Sequence, residues 1–384
     1  MQTIRRAWWL SAFLVLTVAL ALPGCQRGVP DTVKIGVAMT LSGPTANRGQ
    51  DLLNGALLAT EELNAAGFRV RGKPVKFEIV AKDDKGDNQV AKQVAQELVD
   101  EGVRLVLGHT NSPQLQSALP TYVAAHALLL TTTTQRTLME QGGGQLFRLV
   151  PNDQVQARAL ASYATEQLGG QRLVALVEAT DYGRGMFEDM AQTLKEKRLK
   201  VPEKIDLEFK KPVTEEVARR IKALKADVVV LIAREQHGLS LLEQLRAVQY
   251  ADAIVLASNA VRTDKMAQAQ LPVRGLYTTS TTIQLAELPA GSAFRNRFLA
   301  KFKSEPVWGS HYSYDAVYGL ADVIRRTASV DTQDLAAKLR TAELNTRIVQ
   351  QMRFGPGGEQ AYPAIGVYKA ERGIWSPQLR SSDW

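Results

Sequence analysis

The feature that most constrains the fold of this chain is a repeated alternation of short apolar runs with longer amphipathic stretches. The runs are rich in valine, isoleucine and leucine, and they lie at residues 33–39, 75–81, 104–108, 127–131, 172–178, 227–233 and 253–258. Continuously apolar strands that alternate with helices are typical of parallel sheets covered by helices on both faces. The sequence therefore predicts an α/β fold built on parallel sheets.

Two of the stretches between the apolar runs carry complete helix signals. Apolar residues recur at helical spacing through residues 49–67, and this segment ends in Gly67, which can stop a helix. Asp87 can cap the next helical segment, which ends in a second glycine, Gly102. This order of strand and helix supports the prediction of parallel sheets.

The length of the chain, 384 residues, predicts two domains, because one compact core rarely grows so large. The second domain is expected to begin after residues 147–153, where a proline and polar residues follow a strand. A helix signal at 312–326 and strand-like segments at 349–354 and 363–369 come after both units. We therefore expect two lobes that are not simply consecutive in sequence.

Residues 1–24 have the pattern of a targeting segment. Two arginines precede an uncharged apolar run at 7–22, which is short for a membrane span. The run ends in Leu-Pro-Gly-Cys at 22–25, which resembles a bacterial lipobox, and Cys25 is the only cysteine of the chain. We expect a lipoprotein-type signal peptide and an exported protein that is lipid-anchored to a membrane. An ordinary secretory peptide and an uncleaved anchor are the alternatives, and both also export the chain.

Charge and motifs disfavour several classes of function. The formal net charge is +8, but lysines and arginines are interspersed with acidic residues, which is not the pattern of a nucleic-acid-binding surface. The sequence contains no HExxH, GxSxG or CxxC motif and no dinucleotide fingerprint. Asp83 and Asp84 have no further carboxylates or histidines at metal-ligand spacing. The sequence predicts no enzyme, catalytic residue, cofactor or metal.

Polar loops follow most of the predicted strands, at 41–49, 109–114, 131–135, 179–185, 234–238 and 259–262. Ligands of open parallel sheets bind beyond the carboxyl ends of the strands, where loops meet helix N-termini. One strand runs into four threonines, so Thr133, Thr134 and Gln135 are ligand candidates, although threonine also simply favours strands. His109 follows a buried strand and is interpreted as a structural histidine. Together these loops predict a polar small-molecule site.

Four segments resemble the type I periplasmic solute-binding proteins, and among these the leucine/isoleucine/valine-binding family that feeds ABC transporters. The segments are 35–67, 82–113, Asp-Tyr-Gly-Arg-Gly at 181–185 and Tyr-Asp-Ala-Val at 314–317. The resemblance covers nearly all of residues 31–370. It implies two Rossmann-like lobes joined by three crossover strands and closing on a ligand like a hinged clamp. The implied boundaries are 31–152 plus 280–356 for lobe 1, and 153–279 plus 357–384 for lobe 2.

The same resemblance implies which residues hold a ligand. Ser112, beside Asn111, and the segment Thr133–Gln135 match the positions that hold an amino acid in this family, and Tyr182 matches a tyrosine of the second lobe. Gln135 stands where threonine is expected, and three further positions differ: Arg48 and Arg234 replace aromatic residues, and Asn259 replaces a glutamate that pairs with the ammonium group. Guanidinium groups prefer carboxylate or phosphate. A branched-chain amino acid and an anionic or amide-like ligand therefore both stay open.

The expected function is that of an extracytoplasmic substrate-binding protein, a monomer that delivers a small polar metabolite to an ABC permease. Ligand contacts made by both lobes favour the closed form, so that binding shifts the population toward closure. The alternative is a non-transport lipoprotein of the same fold that acts as a sensor or regulator through a protein partner. The ligand-binding candidates are Arg48, Asn111, Ser112, Thr133, Thr134, Gln135, Tyr182, Arg234 and Asn259.

Overall fold

The computed structural model describes residues 28–43, 46–344, 346–349 and 351–381. The predicted signal peptide and Cys25 lie outside the described residues. No helix within the described ranges is both long and apolar enough to cross a membrane.

Five parallel strands form the sheet of the first lobe, in the spatial order β2-β1-β3-β4-β5. Their bounds are β1 (Thr32–Met39), β2 (Lys76–Asp83), β3 (Leu105–Gly108), β4 (Leu128–Thr131) and β5 (Leu146–Arg148). The helices between them are α1 (Ala46–Ala65), α2 (Asn88–Asp100), α3 (Ser112–Ala124) and α4 (Leu138–Gln141). Val37 and Ala38, neighbours in β1, belong to different core clusters, because successive side chains of a strand point to opposite faces.

The helix signals of the sequence correspond to real helix ends. Asp87 caps α2 by accepting hydrogen bonds from the amides of Gln89 and Val90. Gly67 and Gly102 have φ angles of +67° and +76° just after α1 and α2, a backbone conformation that glycine adopts without steric cost. Both predicted helix stops are therefore confirmed.

Seven strands form the sheet of the second lobe, in the order β12-β11-β10-β9-β8-β6-β7, and β11 pairs antiparallel with both of its neighbours. The bounds are β6 (Leu173–Glu178), β7 (Glu203–Leu207), β8 (Val228–Ile232), β9 (Ile254–Ala257), β10 (Gly275–Ser280), β11 (Gly366–Glu371) and β12 (Ile374–Arg380). The helices are α5 (Asp153–Ser162), α6 (Asp181–Glu196), α7 (Glu215–Ala223), α8 (Glu235–Ala247) and α9 (Asp264–Ala267). Apolar clusters cover both faces of this sheet as well.

Three late helices return to the first lobe: α10 (Gly291–Phe302), α11 (Ser310–Thr327) and α12 (Thr332–Leu339). Phe294, Leu320 and Leu335 share one core cluster with Val37 and Leu107 of the first sheet. The chain thus passes between the lobes three times: between β5 and α5, between β10 and α10, and between the segment 352–353 and β11. The prediction of an α/β fold with parallel sheets is confirmed.

Smaller elements complete the structure. Two-residue strands pair at Arg69–Val70 with Lys73–Pro74 and at Glu343–Leu344 with Met352–Arg353. Short helical turns lie at Tyr163–Gln167, Asn259–Val261 and Leu285–Glu287. The strand-like segment at 349–354 is therefore shorter than its sequence indicates.

Candidate ligand-binding cleft

A cleft of about 730 Å³ lies between the two lobes, where loops beyond the carboxyl ends of both sheets meet. We define the cleft by its lining residues, Arg48, Gly86–Gln89, Thr110–Gln114, Thr132–Thr134, Tyr182, Phe209, Lys210, Arg234, Asn259, Ala260 and Trp308. Eight of the nine candidates from the sequence are among them. The exception is Gln135, whose side-chain amide donates a hydrogen bond to Thr137 Oγ1 at 3.1 Å and does not line the cleft.

The four threonines mark the place where β4 leaves the core and enters the cleft. The hydroxyls of Thr131 and Thr133 lie 3.0 Å apart, and the Thr133 amide donates to Thr131 Oγ1 at 3.1 Å. Thr132 is buried, and its hydroxyl has no hydrogen-bond partner among the described residues. The cleft wall therefore presents a hydroxyl that a ligand can engage.

Buried Arg148 fixes the backbone of this threonine loop. Its guanidinium donates to the carbonyl oxygens of Thr133 and Gln135, the latter at 2.8 Å, and its Nε lies 2.9 Å from a carboxylate oxygen of Glu359. Arginine suits this role because its fork of N–H groups can hold several oxygens at once. Glu359 comes from the last crossing between the lobes, so that crossing contributes to the position of the loop.

The N-terminus of α3 forms the adjacent part of the cleft wall. Ser112 Oγ accepts a hydrogen bond from the backbone N–H of Gln135 at 3.4 Å. The hydroxyl proton of Ser112 therefore remains available to a ligand. Asn111, the N-cap residue, donates from its side chain to Thr40 Oγ1 at 3.4 Å and does not cap the helix with that side chain. The first amides of a helix have no partner within the helix and attract negative charge. This wall is suited to a carboxylate.

A buried polar network supports the wall from behind. Asp84 accepts from Thr40 Oγ1 at 2.7 Å and pairs with His109 Nδ1 at 2.7 Å. Burial raises the pKa of Asp84, but the hydrogen bonds from His109 and Thr40 outweigh burial, and the net pKa is lowered. Tyr122 adds a contact to His109 Nε2 at 3.3 Å. His109 is fully buried and does not line the cleft, as expected of a structural histidine.

The second lobe contributes a hydrogen-bonded pair of side chains. The hydroxyl of Tyr182 donates to Asn259 Oδ1 at 3.0 Å, and the backbone N–H of Asn259 donates to Gln156 Oε1 at 2.8 Å. Burial, followed by the charge of Asp153, raises the pKa of Tyr182, so the phenol keeps its proton and remains a donor. Gln156 is buried, and its Nε2 has no partner among the described residues.

The two arginines of the cleft differ in their surroundings. The guanidinium carbon of Arg48 lies 5.3 Å from the ring centroid of Trp308, and no described carboxylate is within ion-pair distance of this side chain. Arg234 stacks on Phe209 at 4.6 Å, and its Nε lies 3.6 Å from Glu178. The Glu178 side chain is 1% exposed, so Arg234 supplies its countercharge. Of the two guanidinium groups expected to attract an anion, Arg48 alone has no protein carboxylate of its own.

Sequence reasoning missed several residues of the cleft. Trp308 lies in the loop before α11 and Phe209 in the loop after β7, far in sequence from the loops singled out. A tryptophan beside glycine in a Pro-Val-Trp-Gly loop ahead of a helix is the signal that could have identified Trp308. Aromatic faces such as these suit the apolar part of a ligand.

The chain belongs to the family of periplasmic binding proteins, whose sequence pattern matches residues 32–373. A leucine-, isoleucine-, valine-, threonine- and alanine-binding protein of Pseudomonas aeruginosa is 31% identical over 48% of this chain, and that match spans 50% of the relative. A Leu/Ile/Val-binding protein homologue of Brucella suis is 23% identical over 89% of this chain and 91% of its own length. Proteins of this family are exported solute-binding components of ABC transporters, and the family is not one of enzymes.

Solved structures share the fold. A leucine-binding protein from Thermotoga maritima superimposes with a TM-score of 0.77 at 20% identity, over 91% of this chain and 98% of that chain. A branched-chain amino acid transporter protein from Streptococcus pneumoniae, in complex with isoleucine, gives 0.75 at 21% identity over 91% and 99%. A solute-binding protein from Rhodopseudomonas palustris, in complex with 3,4-dihydroxybenzoic acid, gives 0.76 at 18% identity over 91% and 97%.

Proposed function

We propose that this protein is the substrate-binding component of an ABC importer and that it captures a small organic acid in the cleft. The observation that carries the choice of ligand is Arg48, a half-buried guanidinium without a protein carboxylate, on the wall that also contains Ser112 and the N-terminus of α3. An arginine and a helix N-terminus together suit a carboxylate. Apolar contacts with Trp308 would hold the rest of the molecule.

The charge of the cleft supports an acid over a zwitterionic amino acid. Arg48, Lys210 and Arg234 line it, and Asp87 is the acidic residue among its lining residues. The Asp87 carboxylate already accepts two amide hydrogen bonds at the start of α2. Asn259, at the place expected to carry a glutamate, accepts the Tyr182 hydroxyl with its side-chain oxygen and offers no charge to an ammonium group. An ammonium group would therefore lack a dedicated counterion.

Both lobes would contact the ligand only when they are closed. The first lobe supplies Ser112 and the threonine loop, and the second supplies Tyr182 and Asn259. Because a ligand can shift an equilibrium only by its differential affinity for the two states, these two-sided contacts are what would drive closure. The lobe boundaries we propose are 31–152 with 280–356, and 153–279 with 357–384. Residues 358 and 359, just past the boundary at 356/357, contact Arg148, so the last crossing would begin beside the first lobe.

The membrane anchor and the transporter partner are part of the same proposal. A lipid on Cys25 would tether the chain near the permease, and the lipobox-like sequence at 22–25 supports it. In membrane fractions of a bacterium that expresses the full chain, we expect the protein to sediment with membranes. A Cys25→Ser variant should be released into the soluble exported fraction, and an unchanged distribution would contradict the anchor.

Thermal unfolding tests the ligand class. The soluble chain from Gln26 onward would be heated with branched-chain amino acids, aliphatic and aromatic monocarboxylic acids, dicarboxylic acids and primary amides. A ligand at 100 times its dissociation constant should add about 2.7 kcal/mol to the free energy of unfolding. Stabilisation by acids without an ammonium group supports the proposal. Stabilisation only by leucine, isoleucine or valine would overturn the choice of ligand, and no stabilisation would favour a protein partner.

A matched pair of variants tests whether the acid binds at the N-terminus of α3. Ser112→Ala removes a hydroxyl from the cleft wall, whereas Ser117→Ala removes one from the same helix outside the cleft, where it donates to the Asn88 carbonyl. We expect Ser112→Ala to reduce ligand stabilisation and Ser117→Ala to leave it unchanged. Equal effects would show that the acid does not bind at the N-terminus of α3.

A further inference from the structure

A second cavity of about 410 Å³ shares two of its lining residues, Arg48 and Trp308, with the cleft. We call it the side cavity. It lies beside the crossing that follows β10, against the α9 and β12 region of the second lobe and the start of α11. Both cavities contact the same arginine and tryptophan, so they adjoin at these two side chains.

The side cavity contains a second arginine with incomplete partners. The guanidinium carbon of Arg262 lies 4.6 Å from the ring centroid of Tyr368, and its buried Nε has no hydrogen-bond partner among the described residues. No described carboxylate lies within ion-pair distance of Arg262. Glu287 and Asp264 act on Arg262 through their charges; Glu287 already accepts from the Tyr368 hydroxyl at 2.6 Å, and Asp264 also lines the side cavity.

Arg48 and Arg262 act on each other through space. Burial, followed by the positive charge of Arg262, lowers the pKa of Arg48, and burial also lowers the pKa of Arg262. Two half-buried cations of this kind repel and lose hydration, a cost that a bound anion between them removes. The pair therefore has electrostatics that favour an anion.

Uncharged polar atoms of the side cavity also have no partners. Ser310 and His311 line it and are buried, and Ser310 Oγ and His311 Nδ1 make no hydrogen bond to any described residue. His311 Nε2 donates to the Ile283 carbonyl at 3.0 Å, and burial lowers the pKa of His311 to about 4, so the ring is neutral and Nδ1 is an acceptor. Around these groups, Ile283, Leu285 and Trp375 supply apolar surface.

We propose that the side cavity is an anionic subsite of the ligand-binding site and that the ligand is an elongated dicarboxylic acid. One carboxylate binds in the cleft at Ser112, the N-terminus of α3 and Arg48, the apolar middle passes Trp308, and the second carboxylate binds in the side cavity beside Arg262, where Arg48 also contributes. This inference rests on the proposed function, because it extends the ligand already placed in the cleft. It adds chain length and a second negative charge to the definition of that ligand.

Calorimetric titration of the purified protein tests the subsite. The probes are dicarboxylic acids of increasing chain length and monocarboxylic acids of matched length. In the wild type, affinity for the dicarboxylic acids should pass through a maximum at the length that spans both cavities. In Arg262→Gln, affinity for the best dicarboxylic acid should fall at least tenfold, and affinity for the matched monocarboxylic acid should change less than twofold. Arg274→Gln, at an exposed arginine of the same lobe outside both cavities, should change neither.

A second pair of variants is safe for folding because Ile374, at the edge of the side cavity, is 64% exposed. Ile374→Glu should weaken binding of the best dicarboxylic acid, and Ile374→Lys should strengthen it, with little effect on the monocarboxylic acid. If Arg262→Gln and both Ile374 variants change the affinities for the dicarboxylic and the monocarboxylic acid equally, the proposed subsite is wrong and the proposed function stands. If no acid of either series binds the wild type, the proposed function fails and the subsite fails with it.

Discussion

The carboxylate of Asp51, in the second turn of α1, accepts the backbone N–H of Gly309 at 2.7 Å. The same carboxylate accepts the amides of Val307, Trp308 and Ser310 at 2.8 to 2.9 Å. One buried side chain thus holds the whole loop that leads into α11. Because Arg48 lies one helical turn before Asp51, this contact also fixes Trp308 against Arg48, and it defines the wall that the cleft and the side cavity share.

Replacing Asp51 with alanine should destabilise the protein strongly. Several buried amides would lose their acceptor, and we expect the free energy of unfolding to fall by about 3 kcal/mol. Denaturant unfolding measures the loss. Asp87→Ala, which removes the exposed cap of α2, is the matched control and should cost about 1 kcal/mol. A smaller loss for Asp51→Ala than for Asp87→Ala would contradict the role of Asp51.

The Tyr182 hydroxyl should matter for binding more than for stability. Tyr182→Phe removes the donor to Asn259 at the surface of the cleft, and we expect the ligand dissociation constant to rise about tenfold, the value of one net hydrogen bond at the upper end of its range. Tyr250→Phe removes a hydroxyl that donates to the Ala226 carbonyl inside the second lobe. That variant should lose stability and bind normally. Calorimetry measures ligand binding and thermal unfolding measures stability. Normal binding by Tyr182→Phe together with weakened binding by Tyr250→Phe would contradict these two roles.

Asp153 should make stability depend on pH in an unusual direction. Burial raises the pKa of Asp153 to about 6 from its usual 3.8. The folded protein therefore holds this proton more tightly than the unfolded chain, so the contribution of Asp153 to stability is complete below about pH 4 and is lost as pH rises to about 6. The loss is about 3 kcal/mol for a shift of about two units.

The variant Asp153→Asn isolates this effect from those of other carboxylates. Its free energy of unfolding minus that of the wild type should rise between about pH 4 and pH 6, the interval between the unfolded and folded pKa values, and stay constant at higher pH. Denaturant titrations across this range measure the difference. A difference that is independent of pH would mean that folding does not change the pKa of Asp153.

Arg148 is a positioning residue for the threonine loop. Arg148→Lys keeps the charge but cannot reach Thr133, Gln135 and Glu359 together, and we expect it to lower the free energy of unfolding by about 2 kcal/mol and to weaken ligand binding. Arg219→Lys, in an exposed helical pair with Glu215, should change stability by less than about 0.5 kcal/mol. Normal ligand binding by a stably folded Arg148→Lys protein would show that the loop is positioned without Arg148.

The sequence was most informative where strands are apolar on both faces. The strand β8, Val228–Ile232, is buried along its whole length and was recognised from composition alone. The strand β7, Glu203–Leu207, was missed because it forms an edge of its sheet and carries polar residues that resemble a loop. The strand β12 was missed for a similar reason, since it lies at the opposite edge and most of its residues are not buried.

The cleft could be predicted in outline because the carboxyl ends of parallel strands meet by geometry. The sequence could not show that Arg234 faces Glu178, since that contact depends on how α8 packs against β6. Nor could it show that Arg262 lies near Arg48, because these residues come from different lobes and meet only in the assembled structure. The sequence could therefore predict which residues lie in the cleft loops, but not which charged side chains those residues would face.

The return of the late helices to the first lobe has a consequence for biosynthesis. Phe294, Leu320, Leu335 and Phe354 complete the apolar cluster on one face of the first sheet, although that sheet ends at Arg148. A chain emerging from the ribosome from its N-terminus must wait for most of its length before this face can be covered. Until then, one apolar face of the first sheet stays uncovered on the nascent polypeptide.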